Sequence, residues 1–147
     1  MSVFVDTGVL YADHDSSAAK HDTAVSALES VYSGRFGQPI TSDYVYDEAL
    51  TLTLHRTGDF EAARKLGRRI LGDGQFPSVY SLEFVNESVF QDTNALFDTY
   101  DDQGLSFTDA STIALVERND IDVVLSFDDD FDGLVERIVP ENVDSND

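Results

Sequence analysis

Four acidic residues stand where a strand-and-helix fold would gather them: Asp6 after the first apolar stretch, Glu48 inside a helical pattern, Asp109 opening another, and Asp128 just past a late apolar triplet. If they converge they make a divalent-metal site, because Mg²⁺ and Mn²⁺ prefer oxygen ligands. One or two such ions lower the pKa of a bound water and stabilise the attacking and leaving oxygens of a phosphodiester. Without metal, four crowded carboxylates repel one another and some take up protons. Residue type carries little alone, since 29 of 147 residues are acidic. Position must therefore carry the argument.

Each acid also has a plainer role open to it. Asp6 could be the N-cap of a short helix starting near Thr7. Glu48 falls among Val45, Ala49 and Leu52, near the apolar face and unlike its neighbour Asp47, so it needs a partner such as a cation, or it is a partly exposed helix residue. Ser106-Phe107-Thr108-Asp109 fits a capping box with Ser106 as cap and Asp109 at the third helical position; a helix start facing the strand ends would also aim Asp109 at Asp6. Asp128, Asp130, Asp132 and Gly133 match the early positions of a calcium loop, but the twelfth position, which needs a bidentate Glu, holds Val139. That reading is rejected in favour of a loop leaving a buried strand, with Asp128 nearest the strand end.

The elements that must position these residues follow from periodicity. Residues 3–5 form an apolar β-branched and aromatic run, and 9–12 a short helical one. Apolar spacing of three and four predicts helices over 18–36, 43–55, 60–71, 88–100 and 108–118, with Gly37, Gly58 and Gly72 as stops. Strands are predicted at 39–41, 78–82, 123–125 and, at an edge, 137–139. Parallel crossovers need a dozen or more residues, so strands separated by helices favour an α/β fold with a parallel sheet. Ligands in such sheets bind beyond the carboxyl ends of the strands, where Asp6 and Asp128 would both lie.

Composition bounds the rest. The length suits a single domain over residues 1–140, followed by a polar tail over 141–147 predicted to fray. Nine basic against 29 acidic residues give a net charge of −20, and Lys20 and Lys65 are the only lysines. This bias keeps a surface hydrated in molar salt, where the screening length falls to about 3 Å, and is read as adaptation to a salt-rich, halophilic cytoplasm. Such screening leaves a nucleic-acid substrate open despite the charge. The absence of cysteine excludes disulfides and thiolate chemistry. No signal-peptide pattern or membrane-length apolar run is found, so a soluble cytoplasmic protein is expected.

Four stretches together resemble the PIN-domain nucleases, and most closely the VapC-type toxin ribonucleases: Val5-Asp6-Thr7-Gly8-Val9-Leu10, Thr41-Ser42-Asp43-Tyr44-Val45-Tyr46-Asp47-Glu48-Ala49-Leu50-Thr51, Leu105-Ser106-Phe107-Thr108-Asp109-Ala110-Ser111, and Leu125-Ser126-Phe127-Asp128-Asp129-Asp130-Phe131-Asp132-Gly133. Their order and the helical stretches between them match over nearly the whole chain. The resemblance implies a three-layer α/β/α fold with about five parallel strands and an Mg²⁺- or Mn²⁺-dependent endoribonuclease site. It makes Asp6, Glu48, Asp109 and Asp128 the catalytic acids, with Asp6 and Asp109 the foremost metal ligands and Asp132 an optional fifth. Thr7 and Ser126 would hydrogen-bond the carboxylates or phosphate. The expected products are a 3′-hydroxyl and a 5′-phosphate. An antitoxin protein and a second copy of the chain are the partners such a family brings.

Arg56, Arg64, Lys65, Arg68 and Arg69 cluster in one short region and are candidates for tracking RNA phosphates; pairing with Asp59 and Glu61 is the alternative. A receiver-like signalling module is disfavoured because no Lys lies beyond Lys65, and a haloacid-dehalogenase-like phosphatase because Gly8 stands where its second Asp belongs. A housekeeping RNA-processing nuclease, or a PIN fold that binds RNA or protein without cutting, is the alternative function.

Overall fold

A computed structural model describes residues 1–143. Five strands, β1 (Ser2–Val5), β2 (Gln38–Ser42), β3 (Ser81–Glu83), β4 (Val123–Leu125) and β5 (Arg137–Ile138), form one sheet in the order β3-β2-β1-β4-β5, every pair parallel. Six helices flank it: α1 (Thr7–His14), α2 (His21–Tyr32), α3 (Asp43–Thr57), α4 (Phe60–Leu71), α5 (Glu87–Thr99) and α6 (Phe107–Arg118). With the right hand usual for parallel crossovers, this strand order puts α1 to α4 on one face, as the chain steps from β1 to β3, and α5 and α6 on the other, as it crosses back to β4. Val3, Phe4 and Val5 of β1 are wholly buried, as befits a central strand covered on both faces.

The chain leaves β1 toward β2 on one side and later returns to pair β4 on the other. That reversal opens a crevice beyond the carboxyl ends of β1 and β4, the usual ligand position in an open α/β sheet. Local chemistry fixes the elements around it. The Ser42 hydroxyl accepts from Val45 N at 3.1 Å to start α3, and Gly58, with φ of 65°, ends it. The Asp43 carboxylate accepts from Val85 N at 3.0 Å and ties the start of α3 to the chain leaving β3.

Several boundaries differ from expectation. α2 spans His21–Tyr32 and not 18–36: Ala18 lies in a turn, and Gly34 and Gly37, with φ of 93° and 80°, turn the chain before β2. A Cβ on Gly37 would lie 1.9 Å from the Met1 carbonyl oxygen, so only glycine fits there. β3 begins at Ser81 and not at 78, because pairing with β2 starts at Ile40↔Ser81; before it, Gln38 Nε2 donates to Val79 O. Within the expected tail, Glu141 and Asn142 are exposed in the 3₁₀ turn Pro140–Asn142 and Val143 is buried in the core; residues 144–147 lie outside the described residues. Among the described residues, no helix is long and apolar enough to cross a membrane.

Candidate active site

Asp6 occupies the N-cap position of α1, yet its side chain makes no capping hydrogen bond. Its backbone N donates to Leu125 O at 3.1 Å, extending the β1–β4 ladder by one residue. The carboxylate turns instead toward β4, where Ser126 Oγ donates to Asp6 Oδ2 at 2.6 Å. Asp6 Oδ1 and the neighbouring Thr7 Oγ1 are buried without a hydrogen-bond partner. Buried polar atoms are nearly always satisfied, so this pair is an exception that asks for a cause.

Ser126 is wholly buried and joins two parts of the site. While donating to Asp6, its Oγ accepts from Asp128 N at 3.0 Å. Asp128 then caps the 3₁₀ turn Asp129–Phe131, accepting from Asp130 N at 2.9 Å through Oδ1. Phe131, fully buried against Leu105 and Ile113, anchors this loop. Arg137 holds it from β5, donating through Nη1 to Ser126 O at 2.9 Å and through Nε and Nη2 to Asp132 at 2.7 and 3.0 Å.

Asp109 arrives through the expected capping box: Asp109 N donates to Ser106 Oγ at 3.0 Å, and Ser106 N donates to Asp109 Oδ2 at 3.1 Å. Glu48 is half-buried and Asp47 exposed, as the helical spacing requires. Asp6, Thr7, Gly8, Glu48, Leu52, Gly104, Ser106, Asp109, Phe127 and Asp128 line one open groove of about 420 Å³. The structure therefore brings together Asp6, Glu48, Asp109 and Asp128, with Thr7 beside them and Ser126 behind Asp6. Asp132 is not among the lining residues; it is exposed and bidentate to Arg137.

Electrostatics show the same convergence. Burial pushes the Asp6 carboxyl from 3.8 up to about 7; the Ser126 hydroxyl opposes this, and Asp109 and Glu48 add to it. Burial likewise raises Asp109 to about 6, against the Ser106 hydrogen bonds and with the negative fields of Asp128 and Glu48. Two raised acids in one groove make it a candidate functional site.

The donor set fits a divalent cation. All the ligand atoms are hard oxygens, one of them buried and unpartnered, and a cation would offset the burial, and the lesser mutual repulsion, that raise Asp6 and Asp109. No three of the four carboxylates lie within 4.8 Å of one another: among the described residues, the trio of acids that does is Asp128, Asp129 and Asp130. That trio follows from the turn that Asp128 caps, and Asp129 is exposed.

The five basic residues divide. Arg69 pairs with Asp13 at 3.2 Å and donates to His14 Nδ1, and the Arg56 guanidinium lies 5.8 Å from the Tyr11 ring centroid. Arg64, Lys65 and Arg68 are exposed on α4 and make no ion pair among the described residues. The alternative pairing with Asp59 is not seen, since Asp59 Oδ1 instead accepts from Glu61 N. None of the five lines the carboxylate groove. Another cavity of about 420 Å³, between α1, α2 and α4, encloses the Asp13–Arg69 pair, which is internally satisfied.

Sequence reasoning missed Arg137 and Lys20. Arg137 is a lone cation in an acid-rich segment, and that isolation was its available signal. The Lys20 ammonium lies 4.5 Å from the centroid of Phe127, which lines the groove, and 3.6 Å from Glu141. Nothing in the local sequence foretells that contact across more than a hundred residues.

The PIN domain family matches residues 3–136. The chain belongs to it. Among solved structures, this PIN-domain protein is similar to the Mycobacterium tuberculosis toxin VapC20, described as cleaving the sarcin-ricin loop, with a TM-score of 0.74 and 26% identity over 88% of this chain and 92% of that one. It also resembles, at the level of fold, VapBC2 of Rickettsia felis bound to a promoter DNA fragment (TM-score 0.67, 12% identity, 94% and 98% covered). A Klebsiella pneumoniae toxin-antitoxin complex is similar in the same sense (TM-score 0.65, 18% identity, 96% and 99% covered). No curated protein sequence matches significantly.

Proposed function

We propose that this PIN-domain protein is a divalent-metal-dependent endoribonuclease, the toxin of a VapBC-type pair. The observation that carries this reading is the buried, unpartnered Asp6 Oδ1 in a groove shared with Glu48, Asp109 and Asp128. Asp6 and Asp109 would hold Mg²⁺ or Mn²⁺, with Glu48 and Asp128 completing the set directly or through water. Asp132 would join only after leaving Arg137. The bound cation supplies a water of lowered pKa and charge stabilisation at the phosphodiester.

The remaining work falls to the chain itself. Ser126 orients Asp6 through its 2.6 Å hydrogen bond and positions Asp128 through the backbone, so both carboxylates turn with one hydroxyl. The capping box fixes the Asp109 rotamer on the first turn of α6. Thr7 Oγ1, buried without a partner beside Asp6, would hydrogen-bond a carboxylate or, once exposed, a phosphate oxygen. The products expected are a 3′-hydroxyl and a 5′-phosphate. Arg64, Lys65 and Arg68 would bear on RNA phosphates at a distance from the groove. The similarity to toxins solved with their antitoxins supports an antitoxin partner. A cytoplasmic location and a homodimer belong to the same proposal.

Incubating the protein with cellular RNA in high KCl, with Mg²⁺ or Mn²⁺ and with chelator, beside Asp6→Asn, tests this reading. Discrete cleavage requiring both metal and Asp6 is expected. Cleavage by neither protein, in a folded and antitoxin-free sample, would shift the assignment to a PIN fold that binds without cutting.

A further inference from the structure

The β4–β5 ladder stops at a residue that cannot donate. Val124 N donates to Glu136 O at 2.8 Å and Ser126 N to Ile138 O at 3.3 Å, in the even spacing of a parallel pair. The next bond in that pattern would run from the N–H of residue 140 to Ser126 O. Residue 140 is proline and has no N–H. A side chain takes its place: Arg137 Nη1 donates to Ser126 O at 2.9 Å. Arg137 Nε and Nη2 meanwhile donate to Asp132 at 2.7 and 3.0 Å, so one planar group pins both ends of the loop 126–132. The Arg137 side chain is only 9% exposed, against 58% for Asp132, which sets it apart from an ordinary surface ion pair.

The residue held in this way is the one that orients the site. Ser126 Oγ donates to Asp6 Oδ2 at 2.6 Å and accepts from Asp128 N at 3.0 Å, wholly buried between them. A tilt of the peptide at the Ser126 carbonyl would carry its hydroxyl, and both carboxylates, out of place. We propose that Arg137 is a positioning residue of the carboxylate groove: by replacing the ladder donor that Pro140 lacks, it fixes the Ser126 peptide and, through Ser126, sets Asp6 and Asp128 for a divalent cation. The inference rests on the metal-dependent reading above. Arg137 does not line the groove, so it acts through Ser126 and not on the substrate. Its charge works in the opposite sense, because a guanidinium near the acids repels a second cation. Positioning and field therefore predict opposite effects of removing it.

Calorimetric titration of Mn²⁺ in the absence of RNA separates them, in the original chain, in Arg137→Met, and in Arg137→Met combined with Pro140→Ala. The methionine side chain donates nothing, and alanine at position 140 restores a backbone N–H where the ladder calls for one. Arg137→Met should bind Mn²⁺ about 10–100-fold more weakly, the usual loss when a partner of a metal-binding group is removed. Adding Pro140→Ala should recover most of that affinity although the positive charge is still absent. With RNA, the Mn²⁺ concentration for half-maximal cleavage should shift by the same factor while the KM for RNA stays constant. An arginine that served stability alone would lower the melting temperature and leave both Mn²⁺ readings unmoved, which overturns the proposal. So does tighter Mn²⁺ binding by Arg137→Met, whether from the lost charge or a freed Asp132, and so does a double variant no better than the single one. Failure of both variants to fold makes Arg137 a folding residue and overturns it as well. An original protein that binds no Mn²⁺ defeats the metal-dependent reading itself, whereas Arg137→Met with the original's Mn²⁺ affinity defeats the positioning role alone.

Discussion

Asp6 is the residue on which structure and chemistry meet. Its folded pKa of about 7 exceeds the ordinary 3.8, so between those values the folded chain keeps a proton that the unfolded chain releases. Stability therefore falls as pH rises from about 4 to about 7 and stays low above that, with Asp109 adding to the fall up to about 6. The displacement corresponds to on the order of 4 kcal/mol for a carboxyl this buried. Asp6→Asn keeps an oxygen to accept from Ser126 and removes the charge. Urea unfolding should find the variant more stable than the original at pH 8, by roughly 2–4 kcal/mol, with a smaller gap at pH 5. Mg²⁺ should stabilise the original at pH 8 and leave Asp6→Asn nearly unmoved. A gap independent of pH would mean that Asp6 carries no such proton.

At the scale of elements, a capping box serves fold and site together. Ser106→Ala leaves Asp109 N without its acceptor and frees the Asp109 side chain to rotate. A lost cap costs about 1 kcal/mol. Turnover should fall further, by roughly 10–100-fold, as for other partners of metal-binding groups. Equal activity in a folded Ser106→Ala variant would restrict the box to helix stability. This box was legible in the sequence because its partners lie three residues apart, as were the strand, turn and helix signals that place Asp6, Glu48 and Asp128 around one crevice. What escaped depends on residues distant in the chain. Asp6 was equally readable as a plain N-cap, and only Ser126, 120 residues away, turns its carboxylate inward. Arg69 is open in sequence to phosphate tracking or to pairing with Asp59 and Glu61, and its actual partner, Asp13, comes from α1, far off in the chain. β3 starts where β2 offers partners and not where β-propensity rises, and Val143 packs into the core from a segment whose composition reads as a tail.

Across the whole molecule, nine cations cannot balance 29 anions, so repulsion among unpaired carboxylates is built into the folded surface. The Debye length shrinks from about 10 Å at 0.1 M salt to about 3 Å at 1 M, which removes most of that repulsion. The Arg137–Asp132 and Arg118–Asp92 pairs are held by hydrogen bonds of 2.7–3.2 Å and lose less. The melting temperature should therefore climb with KCl, by roughly 5–10 °C between 0.1 and 1 M for a gain of one to two kcal/mol. The same screening lets a polyanionic substrate approach. RNA binding by an ordinary basic protein weakens steeply as salt is added, because counterion release drives it. Here there is little to release and repulsion to screen, so affinity for single-stranded RNA should hold or rise over that range. Anisotropy titrations at several KCl concentrations read the slope directly: a steep fall would show that Arg64, Lys65 and Arg68 dominate binding, and a flat or rising line that uncharged contacts do.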